Sequence, residues 1–242
     1  MLFFSSSKVF ASDETVDEEK EHNPLSYGGE VDFVSRYVWR GLPFSDGPAL
    51  EPSVWVSLFG FSVSAWGNFA LTDARQGKFD EVDFYFAYEK EVKNLVIKPT
   101  LALYVYPNVA DSPTTGELQL HLTYNLKDFR FFTHQQMDIA TYRFAYFGEY
   151  GAGYQYTIHP KLKFDTEASF GMGSAKFNEV YLGFSKTTAS TFNYNIGFKY
   201  NPWKFLYLKP HFSTTALLNA DERNALNKDV WVYGGLALGA EF

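Results

Sequence analysis

The chain has 242 residues, a formal net charge of −7, no cysteine and 19% aromatic residues. Without cysteine there is no thiol catalysis, iron–sulfur cluster, thiolate zinc site or disulfide-stapled secreted domain, and the acidic balance gives no footing for nucleic acid. Mean hydropathy is −0.22 and no apolar run reaches the roughly 18 residues of a spanning helix, which excludes a helical membrane protein but not a barrel whose polar lumen dilutes the average.

At the start, Leu2-Phe3-Phe4 and the small-residue site Val9-Phe10-Ala11 before Ser12 fit the remnant of a secretory signal over residues 1–11. Residues 12–27 follow as an acidic, flexible periplasmic segment carrying Asp13, Glu14, Asp17, Glu18, Glu19 and Glu21. From residue 28 to 242 the text changes to runs that alternate apolar and polar. Gly28–Leu42 is expected as the first strand, with Val31, Phe33, Tyr37 and Trp39 toward lipid and Asp32, Arg36 and Arg40 inward. Pro43–Pro48 holds a strong turn signal, Ser45-Asp46-Gly47-Pro48. Ala49–Phe59 puts Val54, Val56 and Leu58 outward; Phe61–Thr72 sets Phe61 and Val63 against Ser62, Ser64, Trp66 and Asn68; Asp80–Lys90 points Val82, Phe84, Phe86 and Tyr88 outward; Leu95–Tyr106 follows. Leu118–Leu126 is the cleanest case, with Leu118, Leu120, Leu122, Tyr124 and Leu126 on one face and Gln119, His121, Thr123 and Asn125 on the other.

Phe129–Asp138, Tyr146–Ile158 and Leu162–Met172 continue the pattern, and Phe205–Leu217 and Asp229–Phe242 end it. Short turns (Gly60, Lys93-Asn94, Lys127-Asp128, His159-Pro160-Lys161, Asn201-Pro202-Trp203) alternate with longer connections at 43–48, 73–79, 107–116, 139–145 and 218–228. Runs of about ten residues, short turns at one end and long loops at the other define a bacterial transmembrane β-barrel. No helix start or stop signal is read. Between the turns at 159–161 and 201–203 there are three strand-like runs, 162–172, 178–185 and 191–200, where up-and-down geometry admits an even number. The expected fold is therefore all-β, an antiparallel up-and-down transmembrane barrel of about twelve strands, with ten or fourteen open. Twelve strands then require either that Val180–Phe184 is the top of a long hairpin or that 191–200 pairs differently. Pro99 and Pro210 fall on lipid-facing positions near periplasmic turns.

Residues 35–48, Ser-Arg-Tyr-Val-Trp-Arg-Gly-Leu-Pro-Phe-Ser-Asp-Gly-Pro, with Trp66-Gly67-Asn68 further on, resemble the opening of the TorF-like porin family of outer-membrane proteins. The likeness covers about the first quarter of the chain. It implies an outer-membrane β-barrel and carries over no catalytic residue.

Strand parity gives a lumen of both signs. Its lining candidates are Arg36, Arg40, Glu51, Asp83, Lys98, Glu117, His121, Arg130, His134, Glu149, Lys163 and Glu167, and rings of such charges bias ion selectivity. Arg36 and Arg40 are expected to pair with acids of neighbouring strands, such as Glu51 or Glu241. His134 with Asp138 invites a lipid-hydrolase reading, but no serine stands in a recognisable nucleophile motif. His121, His134 and His211 lie on different strands without ligand spacing, so no metal is expected, and no cofactor. The expected function is a porin-like channel in a Gram-negative outer membrane for passive diffusion of small hydrophilic solutes. The loops 107–116 and 218–228 would narrow its mouth. The alternatives are a structural or adhesive barrel without conductance and, less favoured, a lipid-modifying enzyme. The partners expected are outer-membrane lipid, small polar solutes and the barrel-assembly machinery through Phe242. Monomer and homo-oligomer both stay open.

Overall fold

The computed structural model describes residues 24–45, 47–72 and 76–242. The signal remnant and most of the acidic segment lie outside the described residues. Twelve strands form one closed antiparallel barrel. They are β1 Leu25–Val34, β2 Ala49–Leu58, β3 Phe61–Ala70, β4 Phe79–Tyr88 with its continuation Lys90–Val92, β5 Leu95–Val105, β6 Thr115–Leu126, β7 Phe129–Asp138, β8 Tyr146–His159, β9 Leu162–Gly173, β10 Thr188–Tyr200, β11 Leu206–Leu217 and β12 Val230–Glu241. Each pairs with its chain neighbours, and β12 returns to β1 from Gly28↔Glu241 to Val34↔Gly235. Closure leaves no strand with an open row of amides, which hydrocarbon would not tolerate. The barrel starts at Leu25, three residues before the expected Gly28.

The alternation read in the sequence faces the sides it implied. On β6, Leu118, Leu120, Tyr124 and Leu126 are exposed, while Glu117 and Gln119 are buried. Leu, Val and Phe are exposed in the same way on the other strands, far more apolar surface than a soluble monomer shows. At the short-turn end Phe59, Phe61, Tyr88, Tyr156, Tyr200 and Trp203 form an aromatic girdle. No helix among the described residues is long and apolar enough to cross a membrane. The wall meets lipid; the barrel is an integral outer-membrane structure with short periplasmic turns and long outer loops.

Prolines mark the gaps in the ladder, because each lacks an amide to donate. Pairing of β2 with β3 skips from Leu50↔Phe69 to Ser53↔Trp66 around Pro52. Pairing of β5 with β4 skips from Ala87↔Thr100 to Lys90↔Ile97 around Pro99, where β4 breaks at Glu89. Pairing of β10 with β11 skips from Gly197↔His211 to Tyr200↔Leu208 around Pro210. Pro99 and Pro210 both face outward.

Two expectations are corrected. The first strand ends at Val34, not Leu42. Residues 35–45 turn into the lumen, where Val38-Trp39 pairs with Leu42-Pro43. Arg40 and Gly41 make the turn with φ of 50° and 85°, the two positive angles of a tight hairpin turn. Tyr37 is consequently buried inside and Trp39 packs inward, neither facing lipid. The second correction is at 178–185. Ala175–Leu182 is a helix, α1, capped by Ser174, whose side chain accepts from the Phe177 amide, and ended by Gly183 at φ 78°. A second helix, α2, spans Ala220–Leu226 between caps Asn219 and Asn227. With 178–182 in the helix and 183–185 beyond its end, two strands remain between the turns at 159–161 and 201–203, which gives the even count.

Leu120→Arg places a charge on the lipid face near mid-membrane and should cost about 2–4 kcal/mol. Asn125→Arg on the lumen face should cost far less. Urea titration of the heat-modifiable gel band checks both; equal midpoints would contradict the assignment of faces.

Candidate functional site

The lumen divides into two halves. Toward the periplasmic turns its wall is polar and partly open, with the Lys98, Arg130 and Lys199 side chains 31%, 21% and 37% exposed. Its charges are joined across intervening strands. Arg130 on β7 grips Asp165 on β9 through two bonds of 2.7 and 2.9 Å and reaches Glu167 at 2.8 Å. It crosses β8 at Gly153, where a Cβ would lie 2.5 Å from the guanidinium carbon. Lys209 and His211 on β11 cross β12 to reach Glu30 and Asp32 on β1, each at 2.8 Å. There Gly235 leaves room for the His211 ring, which a Cβ would approach to 2.4 Å. Lys199 reaches Glu241 at 3.6 Å and covers the Tyr207 ring at 4.2 Å. The Arg130 and His211 crossings each use a glycine that leaves the lumen face of the intervening strand bare.

The outer half is filled. The hairpin of residues 35–45 enters from above, and Tyr37, Val38 and Leu42 are buried. Arg40 at its tip makes a two-pronged pair with Glu117 on β6, both bonds 2.7 Å. Its guanidinium lies 4.1 Å from the Trp39 ring and 5.4 Å from Phe147, and the two side chains are only 7% and 4% exposed. Tyr104 and Gln119 also donate to Glu117, at 2.9 Å each. Thus the carboxylate is fully satisfied, the condition for a buried ion pair to be tolerated. The hairpin is fixed further by Trp231, whose indole donates to the Gly41 carbonyl at 2.9 Å, and by the Tyr37 amide on Ser45 Oγ at 2.7 Å. From α1, Phe177 and Tyr181 pack on Trp39. From α2, Glu222 is buried and accepts from Thr188 Oγ1 at 2.7 Å. Burial pushes the Glu222 carboxyl above its ordinary value, against the opposing hydrogen bonds from Thr188 and Ser190.

The expected site residues fall into four groups. Arg40 and Glu117 meet, but through the inward hairpin, so Arg40 pairs with neither Glu51 nor Glu241. Arg36 lies over the Trp231 ring at 5.1 Å. Arg130 and Glu167 meet on the wall, as do His134 and Glu149 at 3.5 Å, with the His121 ring 4.5 Å from His134. Lys98 pairs with Glu89 at 3.3 Å near the periplasmic end, and Lys163 lies at the same end beside Lys199 in register. Glu51 and Asp83 are buried on the β2–β4 wall. Sequence parity missed Tyr37, Trp39 and both helices; the Arg40-Gly41 pair and the caps Ser174 and Gly183 were the signals that could have found them. Of the two loops expected to narrow the mouth, 218–228 supplies α2 to the filling. Tyr106, Val109 and Ser112 line a cavity beside it.

The sequence matches no protein-family model and no curated protein. Among solved structures the fold is similar to the NanC porin, at 12% identity and a TM-score of 0.53 over 88% of this chain and 98% of that one. It is similar to the KdgM porin at 12% identity and 0.53, over 89% and 98%. It is similar to an outer-membrane channel from Pseudomonas putida F1 at 10% identity and 0.54, over 94% and 100%. At such identities the likeness is one of fold.

Two outcomes are expected. Arg40→Ala leaves Glu117 buried and unpaired, a loss of about 3–5 kcal/mol. The barrel should keep its gel shift while amides 37–45 exchange at least ~100-fold faster by hydrogen-exchange mass spectrometry. Unchanged exchange would deny the pair its hold on the hairpin. For Glu222, a carboxyl raised in the folded state lends its full stability below its unfolded value of about 4.3 and loses it as pH rises through the raised one. Amides 220–227, corrected for intrinsic rates, should be better protected at pH 5 than at pH 8, and Glu222→Gln should flatten that difference.

Proposed function

We propose that this protein is a porin-like channel of the outer membrane, of the kind its residues 35–48 resemble in the TorF-like family. Small hydrophilic solutes would cross it passively through the barrel lumen. The observation that carries the reading is the division of labour inside the barrel. The wall itself is polar and charged with both signs, while the mouth is filled by a separate hairpin held by side chains. A filling that is not part of the wall can leave while the wall stays closed. The candidate lining residues Glu51, Asp83, Lys98, Glu117, His121, Arg130, His134, Glu149, Lys163 and Glu167 would set the field along the path, and Arg36 and Arg40 would move with the hairpin. No step needs catalysis.

The structural, non-conducting reading is favoured by one observation, the near-complete burial of Arg40 and Glu117. Planar-bilayer recording of the refolded protein separates the two, with the heat-modifiable band confirming folding. Discrete current steps are expected, and Arg40→Ala should lengthen or enlarge them. Silence from folded wild type, from Arg40→Ala and from a chain with residues 37–44 replaced by a short glycine–serine link would establish the structural barrel instead.

A further inference from the structure

Three carboxylates on one side of the lumen stand outside its ion pairs among the described residues. Glu81 and Asp83 face inward from successive lumen positions of β4, in register with Asn68 and Trp66 of β3; Glu51 stands on the next strand, β2. Glu51, Glu81 and Asp83 are 9%, 5% and 1% exposed. Among the described residues none of these three carboxylates has a cationic partner. Arg40 is committed to Glu117, Arg130 to Asp165 and Glu167, and Lys209 to Glu30.

The hydrogen bonding is incomplete, although Glu81 has Tyr37 and Tyr106 as side-chain partners. Asp83 Oδ2 receives the Tyr85 hydroxyl at 2.7 Å, but Asp83 Oδ1 and the fully buried Asn68 Oδ1 receive nothing. Asn68 spends its own donor on Asp80 at 2.6 Å. Orphan acceptors so deeply buried are costly, and a buried carboxylate without a counter-charge more so.

A cavity of about 190 Å³ opens onto this wall from the outer side, lined by Asp80 and Glu81 and by the rings of Phe44, Tyr106, Tyr142 and Tyr181. Asp83 lies one inward position deeper on the same strand, roughly 7 Å further down. Aromatic faces attract cations, and unmet acceptors call for a hydrogen-bond donor, which a primary ammonium carries together with its charge.

The geometry points to a binding site for a small primary ammonium solute, an aliphatic amine or diamine, between the aromatic cavity and the Glu81–Asp83 wall. The ammonium group supplies both the missing charge and the missing donors; a quaternary ammonium supplies only the charge. A chelated metal fits less well, since no group of three acidic or histidine side chains among the described residues is arranged to hold one. Binding stands on these residues alone; its place as the first stop on a permeation path rests on the channel reading above.

Isothermal titration of the refolded full barrel in detergent, at constant ionic strength, tests the site with 1,4-diaminobutane against tetramethylammonium. Saturable binding of the diamine is expected, with at least about tenfold weaker binding of tetramethylammonium, the effect of losing charge-assisted hydrogen bonds. Glu81→Gln and Asp83→Asn, each checked by its gel shift, should weaken the diamine by a similar factor. No saturable heat from the diamine, or equal affinity for the two ammonium ions, would overturn the site even if neither variant folds. Unchanged binding in both folded variants would overturn it too. Reversal potentials in a salt gradient keep the two readings apart. Diamine binding without current sinks the channel and leaves the site. Current with anion preference and no diamine binding sinks the site and leaves the channel.

Discussion

Everything in this molecule follows from the ladder between β1 and β12. Hydrocarbon offers no partner to a backbone amide, so the sheet must return to its first strand. Closing with twelve strands fixes a circumference whose interior is wider than wall side chains alone can fill, since eight strands already suffice to make a packed interior. The excess volume is settled in two ways. In the periplasmic half it stays partly open and polar. In the outer half the chain turns residues 35–45 inward and packs two short helices into the same half. The buried Arg40–Glu117 pair is thus a consequence of strand number: a hairpin lowered into a charged tube brings a charge with it and must find a counter-charge on the opposite wall.

The same constraint shapes the wall. Lumen charges lie in a confined space where an unpaired ion is expensive, and neighbouring strands do not always offer the right sign. Arg130, Lys209 and His211 solve this by reaching over a whole strand; Gly153 leaves the surface bare under Arg130 and Gly235 under His211, while Lys209 passes the small side chain of Ala237. Glycine weakens a strand's own preference for extended structure, yet here its bare face creates the shortest path between charges two strands apart. The β2–β4 wall lacks such a bridge. Glu51, Glu81 and Asp83 there have no cationic partner among the described residues.

The barrel was legible in the sequence because lipid imposes a period of two on every strand and leaves no room for exceptions at mid-membrane. Leu118–Leu126 could be assigned face by face, and the alternation of short turns with long loops gave the orientation. Legibility stopped where the lipid stops. Residues 35–42 keep an alternating pattern, and parity extended the first strand through them; but Tyr37 and Trp39 meet aromatic rings inside the barrel, which satisfy an apolar side chain as well as acyl chains do. Val180–Phe184 misled for the same reason, its local alternation being outweighed by helix caps at Ser174 and Gly183. The lumen candidates were found by parity, but their partners were not. Arg40 and Glu117 are 77 residues apart, and no local pattern encodes which carboxylate a loop will meet after it folds inward.

The distances along the chain also order events in time. The hairpin is made early, between β1 and β2, but Trp231, which holds the Gly41 carbonyl, is 190 residues downstream on the closing strand. Contacts that remote are slow to form, and this one has no meaning until β12 has come round to β1. While the sheet is still a growing ribbon, the hairpin has no chamber to occupy and its rings stay outside. Seating of the hairpin through Trp231 therefore cannot be complete before β12 has joined β1, and a hairpin held this way marks a closed barrel.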